Sequence, residues 1–325
     1  MNRRLLPTVA LLVAGCATES GSSVTDAMTP QLVLRHESVD AAYVLAGAAI
    51  EHQGTLHLWT VTFSGEEGAT PRVVHLTSPD ARSWDADASA AALDGSAFGF
   101  DASGPVPSSV LLEDDGTWRL FGGGRLADGG PIVWTATAPG PDGPWSFHDT
   151  PILQPQRDGW DGSTTDHPSI VRTSNGYLMA YGGAAMGSPN RNRIGFARSL
   201  DGIRWERVPA TLEGADDESA LGPVACGIDA RTMIEPELRV TDGGLRLDFG
   251  AIGVGADEMV IGSAESPDGS TWTCVSDGPI FEAVDVDGTR NLHSYVTVAV
   301  GGRESFLVEL LAADSESSDL WLVDR

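Results

Sequence analysis

Two short stretches of this 325-residue chain carry side chains that can move protons. In "RTMIEPELRV", Glu235 and Glu237 lie two residues apart, so a strand turns both to one face, and Arg231 lies four residues upstream of Glu235. In "TTDHPSIV", Asp166 immediately precedes His167. A glutamic acid kept protonated by burial or by a nearby carboxylate can donate its proton to a glycosidic oxygen, while an ionised carboxylate activates water or attacks the sugar. Glu235 suits the first role, with a salt-bridged structural or ligand-binding carboxylate as its alternative. Asp166 is the nearest partner for the second role, with a solvent-facing turn residue as its alternative. His167 can bind a sugar hydroxyl, shuttle a proton or ligate a metal, because imidazole titrates near neutrality. His293 has the same options, with Arg290 and Asn291 beside it as donors. Trp160, Trp134, Phe100 and Tyr177 offer faces on which a sugar can stack.

The elements that must position these groups repeat along the chain. Trp84, Trp145, Trp205 and Trp272 recur every 60 to 67 residues, closing "TSPDARSW", "TAPGPDGPW", "ARSLDGIRW" and "AESPDGSTW". Upstream of each lies an apolar strand, a tight turn and a second apolar strand. The turns fall at Gln53-Gly54, Asp115-Gly116, Asn175-Gly176 and Asp242-Gly243, residue types that accept positive φ. A fifth unit starts near His293 and turns at Gly301-Gly302, but it lacks the closing Trp. A strand from the N-terminal "QLVLRHESV" is therefore expected to complete it.

Five modules of about four antiparallel strands, with no extended helical periodicity, predict an all-β, five-bladed β-propeller over residues 31–325; a long β-sandwich is the rival. In that ring the residue before each inner-strand proline faces the central channel. Counting back from each Trp puts Gly47, Val106, His167 and Glu235 there, with His293 in the fifth blade. The four recurring tryptophans are expected between blades rather than on a ligand.

The first residues, "MNRRLLPTVALLVAGC", resemble a bacterial lipoprotein signal: two arginines, an apolar stretch too short to span a bilayer, then Cys16. That resemblance implies cleavage after residue 15, acylation of Cys16, a polar tether over 16–30 and a lipid anchor in the cell envelope, at the outer membrane if the cell is Gram-negative. Cleavage removes Arg3 and Arg4 and moves the net charge from −26 to −28. So acidic a chain repels nucleic acid and gains little at anionic lipid, which leaves membrane contact to the anchor. The chain is expected to be a monomer whose partner is an oligo- or polysaccharide. Cys226 and Cys274 are the remaining cysteines. In an exported protein they either form a disulfide that pins "ADDESALGPVACGIDA" or stay apart, and neither belongs to a close metal-ligand pair.

Two segments, "HPSIVRTSNGYLMAYGG" with "IGFARSLDGIRW" and "EPELRVTDGGLRLDFGA" with "IGSAESPDGSTW", resemble the five-bladed propeller glycosidases. The likeness is to glycoside hydrolase family 43 and its fructan- and mannoside-processing relatives, over residues 43–323. It implies a carboxylate-based glycosidase with a base in the first blade, an orienting Asp in the second and a general acid in the third. It requires no cofactor, although relatives often hold a calcium ion near the channel, to which His293 or Glu237 can contribute. This chain departs from the pattern: "AGAAIEHQG" and "PVPSSV" have no aspartate at their channel positions, His167 takes the third, and Glu235 lies one blade later. Asp166, or Asp94 or Asp101 from a loop, is left as the base. A glycan-binding or protein-binding propeller without turnover is the alternative function.

Overall fold

A computed structural model describes residues 30–64, 71–85, 93, 99–100, 104–127, 129–188, 191–212, 222, 224–254, 258–282, 291–312 and 316–325. Among them the regular elements are β-strands apart from one short 3-10 helix, His36–Val39, and the strands form five blades. The second blade runs outward from the channel through Val106–Leu112, Trp118–Arg125, Pro131–Ala138 and Ser146–Phe147. The third repeats it with Thr164–Thr173, Gly176–Ala184, Arg193–Ser199 and Glu206–Val208. Asn291–Val300, Arg303–Leu311 and Ser318–Asp324 form the fifth, and Gln31–Leu34 adds its outer strand by pairing antiparallel with Ser318–Asp324. The ring is thus closed by the N-terminal segment, and neighbouring inner strands touch all the way round.

Two blades depart from the expected four strands. In the first, Tyr43–Val44 and Ala48–His52 share the edge of Thr55–Phe63, Arg72–Ser78 follows, and among the described residues only the bridge Thr77–Asp85 represents the outer strand. The fourth, built on Ile228–Thr241, Gly244–Gly253, Met259–Ser266 and Thr271–Cys274, recruits the short strands Thr211–Leu212, Val224–Ala225 and Phe281–Glu282. A Cys226–Cys274 disulfide ties the segment entering this blade to its outer strand.

Alternation along the strands fills five apolar clusters, one in each seam. Examples are Trp59 with Trp134 between the first and second blades, Phe121 with Tyr181 between the second and third, and Phe196 with Phe249 between the third and fourth. Truncating one such ring to alanine costs about 3–5 kcal/mol. Trp84, Trp145, Trp205 and Trp272 each join a seam cluster, so the repeat is a packing device. Its polar residues shape the turn before the Trp. Asp201 accepts from the Ile203 and Arg204 N–H groups at 2.9 Å each, and Asp80 accepts from those of Arg82 and Ser83 at 2.9 and 2.8 Å. These donors hold both carboxyls below their ordinary value.

Residues 1–29, with Cys16, and Arg290, Asp94 and Asp101 lie outside the described residues. Among the described residues no helix is long and apolar enough to cross a membrane.

Candidate active site

Four inner strands slip register where they reach the channel: between Pro107 and Ser109, Asp166 and Ser169, Ile234 and Glu237, and Leu292 and Ser294. In the third blade the slip sets His167 and Pro168 opposite the single residue Tyr181, and in the fourth it sets Glu235 and Pro236 opposite Phe249. A bulge of this kind re-aims a side chain that regular pleating would bury in a seam. His167 and Glu235 have φ of +44° and +50°, left-handed values that cost a non-glycine residue on the order of 1–3 kcal/mol. Neighbouring blades hold the distortion. The Tyr295 hydroxyl donates to the Glu235 carbonyl at 2.8 Å, the Tyr295 N–H donates to Glu235 Oε2 at 3.3 Å, and the Ser108 hydroxyl donates to the Pro168 carbonyl at 2.8 Å.

The two side chains meet at the channel, His167 Nε2 lying 4.0 Å from Glu235 Oε1 and His167 Nδ1 lying 3.4 Å from Asp166 Oδ1. Desolvation opposes charge on His167, but the Asp166 and Glu235 carboxylates outweigh it and raise the imidazole to about 9. Desolvation raises Glu235 to about 7, against the pull of His167 and His293. Asp166 moves the other way: desolvation resists its ionisation, yet His167 and a hydrogen bond from Thr164 Oγ1 at 3.3 Å lower it. Burial also pushes Glu237 well above the carboxylate range, with Arg239 opposing. Near neutrality the site therefore holds an imidazolium between an ionised Asp166 and a Glu235 poised between its protonated and ionised forms.

Glu235, Glu237, His167 and Val106 line the channel cavity together with Leu45, Ala46, Ser294 and Tyr295. It has room for about 20 Å³, roughly one water molecule. A second cavity of about 200 Å³ adjoins it through Val106 and His167, and Asp166 faces this one. Glu235 and Glu237 share a cavity although the bulge, rather than simple alternation, places them.

The other residues singled out from the sequence lie elsewhere. His293 is half-exposed and hydrogen-bonded through Nδ1 to the fully buried Glu309 at 3.0 Å, and this bond raises it to about 9. Its blade contributes Ser294 and Tyr295 to the cavity instead. Arg231 is exposed on its strand. Trp160 stacks obliquely on Tyr181 at 5.4 Å and lies over Gly183 and Gly195, where a Cβ would come within 2.6 and 2.0 Å of its ring. Trp134 is fully buried beside Phe100, and Tyr177 donates to Glu113 at 2.9 Å. Gly47 packs where a Cβ would meet the Trp59 carbonyl oxygen at 1.9 Å, leaving Leu45 and Ala46 at the channel.

Tyr295, Ser294 and Glu309 were missed by sequence reasoning. Glu309 interrupts the apolar run "FLVELLA", and an acid in such a run is a signal of a buried polar partner; here it accepts from Ser294 Oγ at 2.6 Å.

Among the described residues, one set of side chains has its potential metal-ligand atoms within 4.8 Å of one another: His36, Glu37 and Asp319, at the seam where the ring closes. It could hold a divalent cation, away from the channel. Of the two residues expected to contribute to a calcium site, Glu237 lines the channel cavity, whereas His293 does not and is engaged through Nδ1 by Glu309.

No family model and no curated protein matches the chain. Solved structures do. A thermostable family-43 glycoside hydrolase shares 15% identity over 86% of this chain and 88% of its own, with a TM-score of 0.66. An endo-1,4-β-xylanase from Bacteroides thetaiotaomicron shares 14% over 88% and 92%, with a TM-score of 0.62. A structure from the GH130 family of mannoside phosphorylases, described as containing glycoside hydrolases that target β-1,2 mannosidic linkages in Candida mannan, shares 16% over 86% and 84%, with a TM-score of 0.59. At such identities the likeness establishes the five-bladed propeller fold that this chain shares with several glycoside hydrolases.

Proposed function

We propose that the chain is a glycoside hydrolase in which Glu235 is the general acid and Asp166 the general base. One observation carries the reading: two carboxyl groups flanking His167 have their proton affinities pushed in opposite directions, Glu235 up to about 7 and Asp166 down. Such a split assigns acid and base roles. A sugar seated in the larger cavity meets Asp166 and His167, and its glycosidic bond extends toward Glu235. Asp166 takes a proton from water as the water oxygen bonds the anomeric carbon; the bond from that carbon to the leaving oxygen breaks as Glu235 protonates it, and the His167 cation favours the negative charge that Glu235 acquires. Glu237 is the further polar contact to substrate in the channel; His293, Arg231 and Trp160 are left with outer roles, and Arg290, which lies outside the described residues, is kept as a donor to substrate. No step uses a metal ion.

The second reading, a glycan-binding propeller without turnover, is favoured by the apolar wall of Leu45, Ala46 and Val106, which sets no carboxylate opposite Glu235. In either reading residues 31–325 act as one domain, and Cys16 carries acyl chains that hold the monomer at the cell envelope. Product release from arabinans, xylans, fructans and mannosides, run beside Glu235→Gln, decides between the two. Turnover that falls at least about 100-fold in the variant supports the hydrolase. Equal turnover refutes Glu235 as acid, and binding without release supports the second reading.

A further inference from the structure

The 200 Å³ cavity between the second and third blades carries a cation whose purpose packing does not explain. Arg125 ends the strand Trp118–Arg125, is exposed, and lines this cavity with Gly123, Thr164, Asp166 and His167. Among the described residues it has no hydrogen-bond or ion-pair partner for its side chain. Other arginines of these two blades are held by carboxylates: Arg119 and Arg172 by Glu113, and Arg207 by Asp161. Asp166 does not serve Arg125, being engaged by His167 and Thr164. The floor is open because Gly123 has no side chain; a Cβ there would lie 3.4 Å from the His167 nitrogen and 3.5 Å from Asp166 Cβ.

Among the described residues that line the cavity, the Arg125 guanidinium fork and the His167 ring face one carboxylate, Asp166, which is already engaged, in a chain of net charge −26. The whole-chain field repels anions, so an anion that binds here must be recognised locally. Neutral sugars offer the fork only hydroxyls, whereas a planar carboxylate accepts two parallel N–H bonds from it.

We infer that this cavity takes the uronic acid unit of an acidic glycan, its carboxylate on Arg125 and its ring over Gly123. The inference rests on the proposed function for the presence of a glycan, and not on its cleavage.

Calorimetric titration of the full chain with glucuronate and galacturonate, beside glucose and galactose, tests it. The uronates are expected to bind at least about tenfold more tightly than the neutral sugars. Arg125→Gln removes the difference, whereas Arg204→Gln, on an exposed turn outside the cavity, keeps it. Gly123→Ala, whose methyl fills the floor, weakens both sugars. Equal binding of acidic and neutral sugars overturns the inference, as does absence of uronate binding at millimolar concentration, a preference that survives Arg125→Gln, or wild-type binding by Gly123→Ala. Product release by the unaltered protein, measured beside the titration, separates the two readings: a uronate preference in an unaltered protein that cleaves no glycan sinks the hydrolase and leaves the acidic subsite standing.

Discussion

His167 Nε2 lies 4.0 Å from Glu235 Oε1, and each residue holds a positive φ at a bulge of its own inner strand. The imidazolium favours the ionised carboxylate and so draws Glu235 down against burial. His167→Asn removes that pull. Glu235 then titrates above about 7, and the alkaline limb of the pH–rate profile, set by loss of its proton, moves to higher pH. At neutral pH kcat falls about tenfold, the size of one charge-assisted contact. A limb that stays in place would separate His167 from Glu235 energetically.

Asp166 and Glu235 should fail differently. Asp166→Asn is expected to lose about 100-fold in kcat and to regain activity with added formate or azide, which replace a missing base; Glu235→Gln loses as much without that rescue. If Asp166 only positions His167, its variant instead shows a small loss with no rescue, and the pH limb shifts.

Where prolines punctuate the inner strands, the channel is legible in the sequence. Val106, His167 and Glu235 each precede a proline, and all three line the channel cavity. The first and fifth blades lack that marker, and there the expected register is off: Leu45 and Ala46 stand where Gly47 was expected, and Ser294 and Tyr295 where His293 was. Ring faces were not legible, because Trp160 covers Gly183 and Gly195, glycines that only the folded sheet brings beneath it. Nor was the opposite titration of Asp166 and Glu235, which depends on an imidazole supplied between them by a bulge.

Acid should weaken the seam between the first two blades. His57 Nδ1 lies 3.0 Å from His75 Nε2, and His75 Nδ1 lies 2.8 Å from the Asp142 carboxylate. Burial, then the charge on His75, lowers His57 to about 4. The unfolded chain takes up that proton near its ordinary 6.5, so stability is full above pH 6.5 and declines as pH falls toward about 4. The loss is about 3 kcal/mol at most, because a tenfold change in proton affinity is worth about 1.4 kcal/mol. His293, raised to about 9, acts oppositely: its contribution is complete below 6.5 and is lost as pH rises toward 9. Glu235, raised to about 7, also loses stability as pH rises through that value, so the His57 effect is read by difference: in thermal melts from pH 4 to pH 7, His57→Phe should lose less stability on acidification than the unaltered protein.

Cys226–Cys274 closes a loop with a sequence separation of 48. Replacing both by serine is expected to cost about 4 kcal/mol, from the added freedom of the unfolded chain. Denaturant unfolding reads this directly, and reductant should reproduce it in the unaltered protein.

The protonation state of Glu235 is the claim on which the rest depends, and it can be read without knowing the substrate. Infrared difference spectra of the unaltered protein minus Glu235→Gln, recorded from pH 4 to pH 9, isolate its carboxyl band. A protonated band that persists to about pH 7 and then gives way to carboxylate is the predicted result. A band already converted to carboxylate at ordinary glutamate values, near 4.3, would contradict Glu235 as the proton donor.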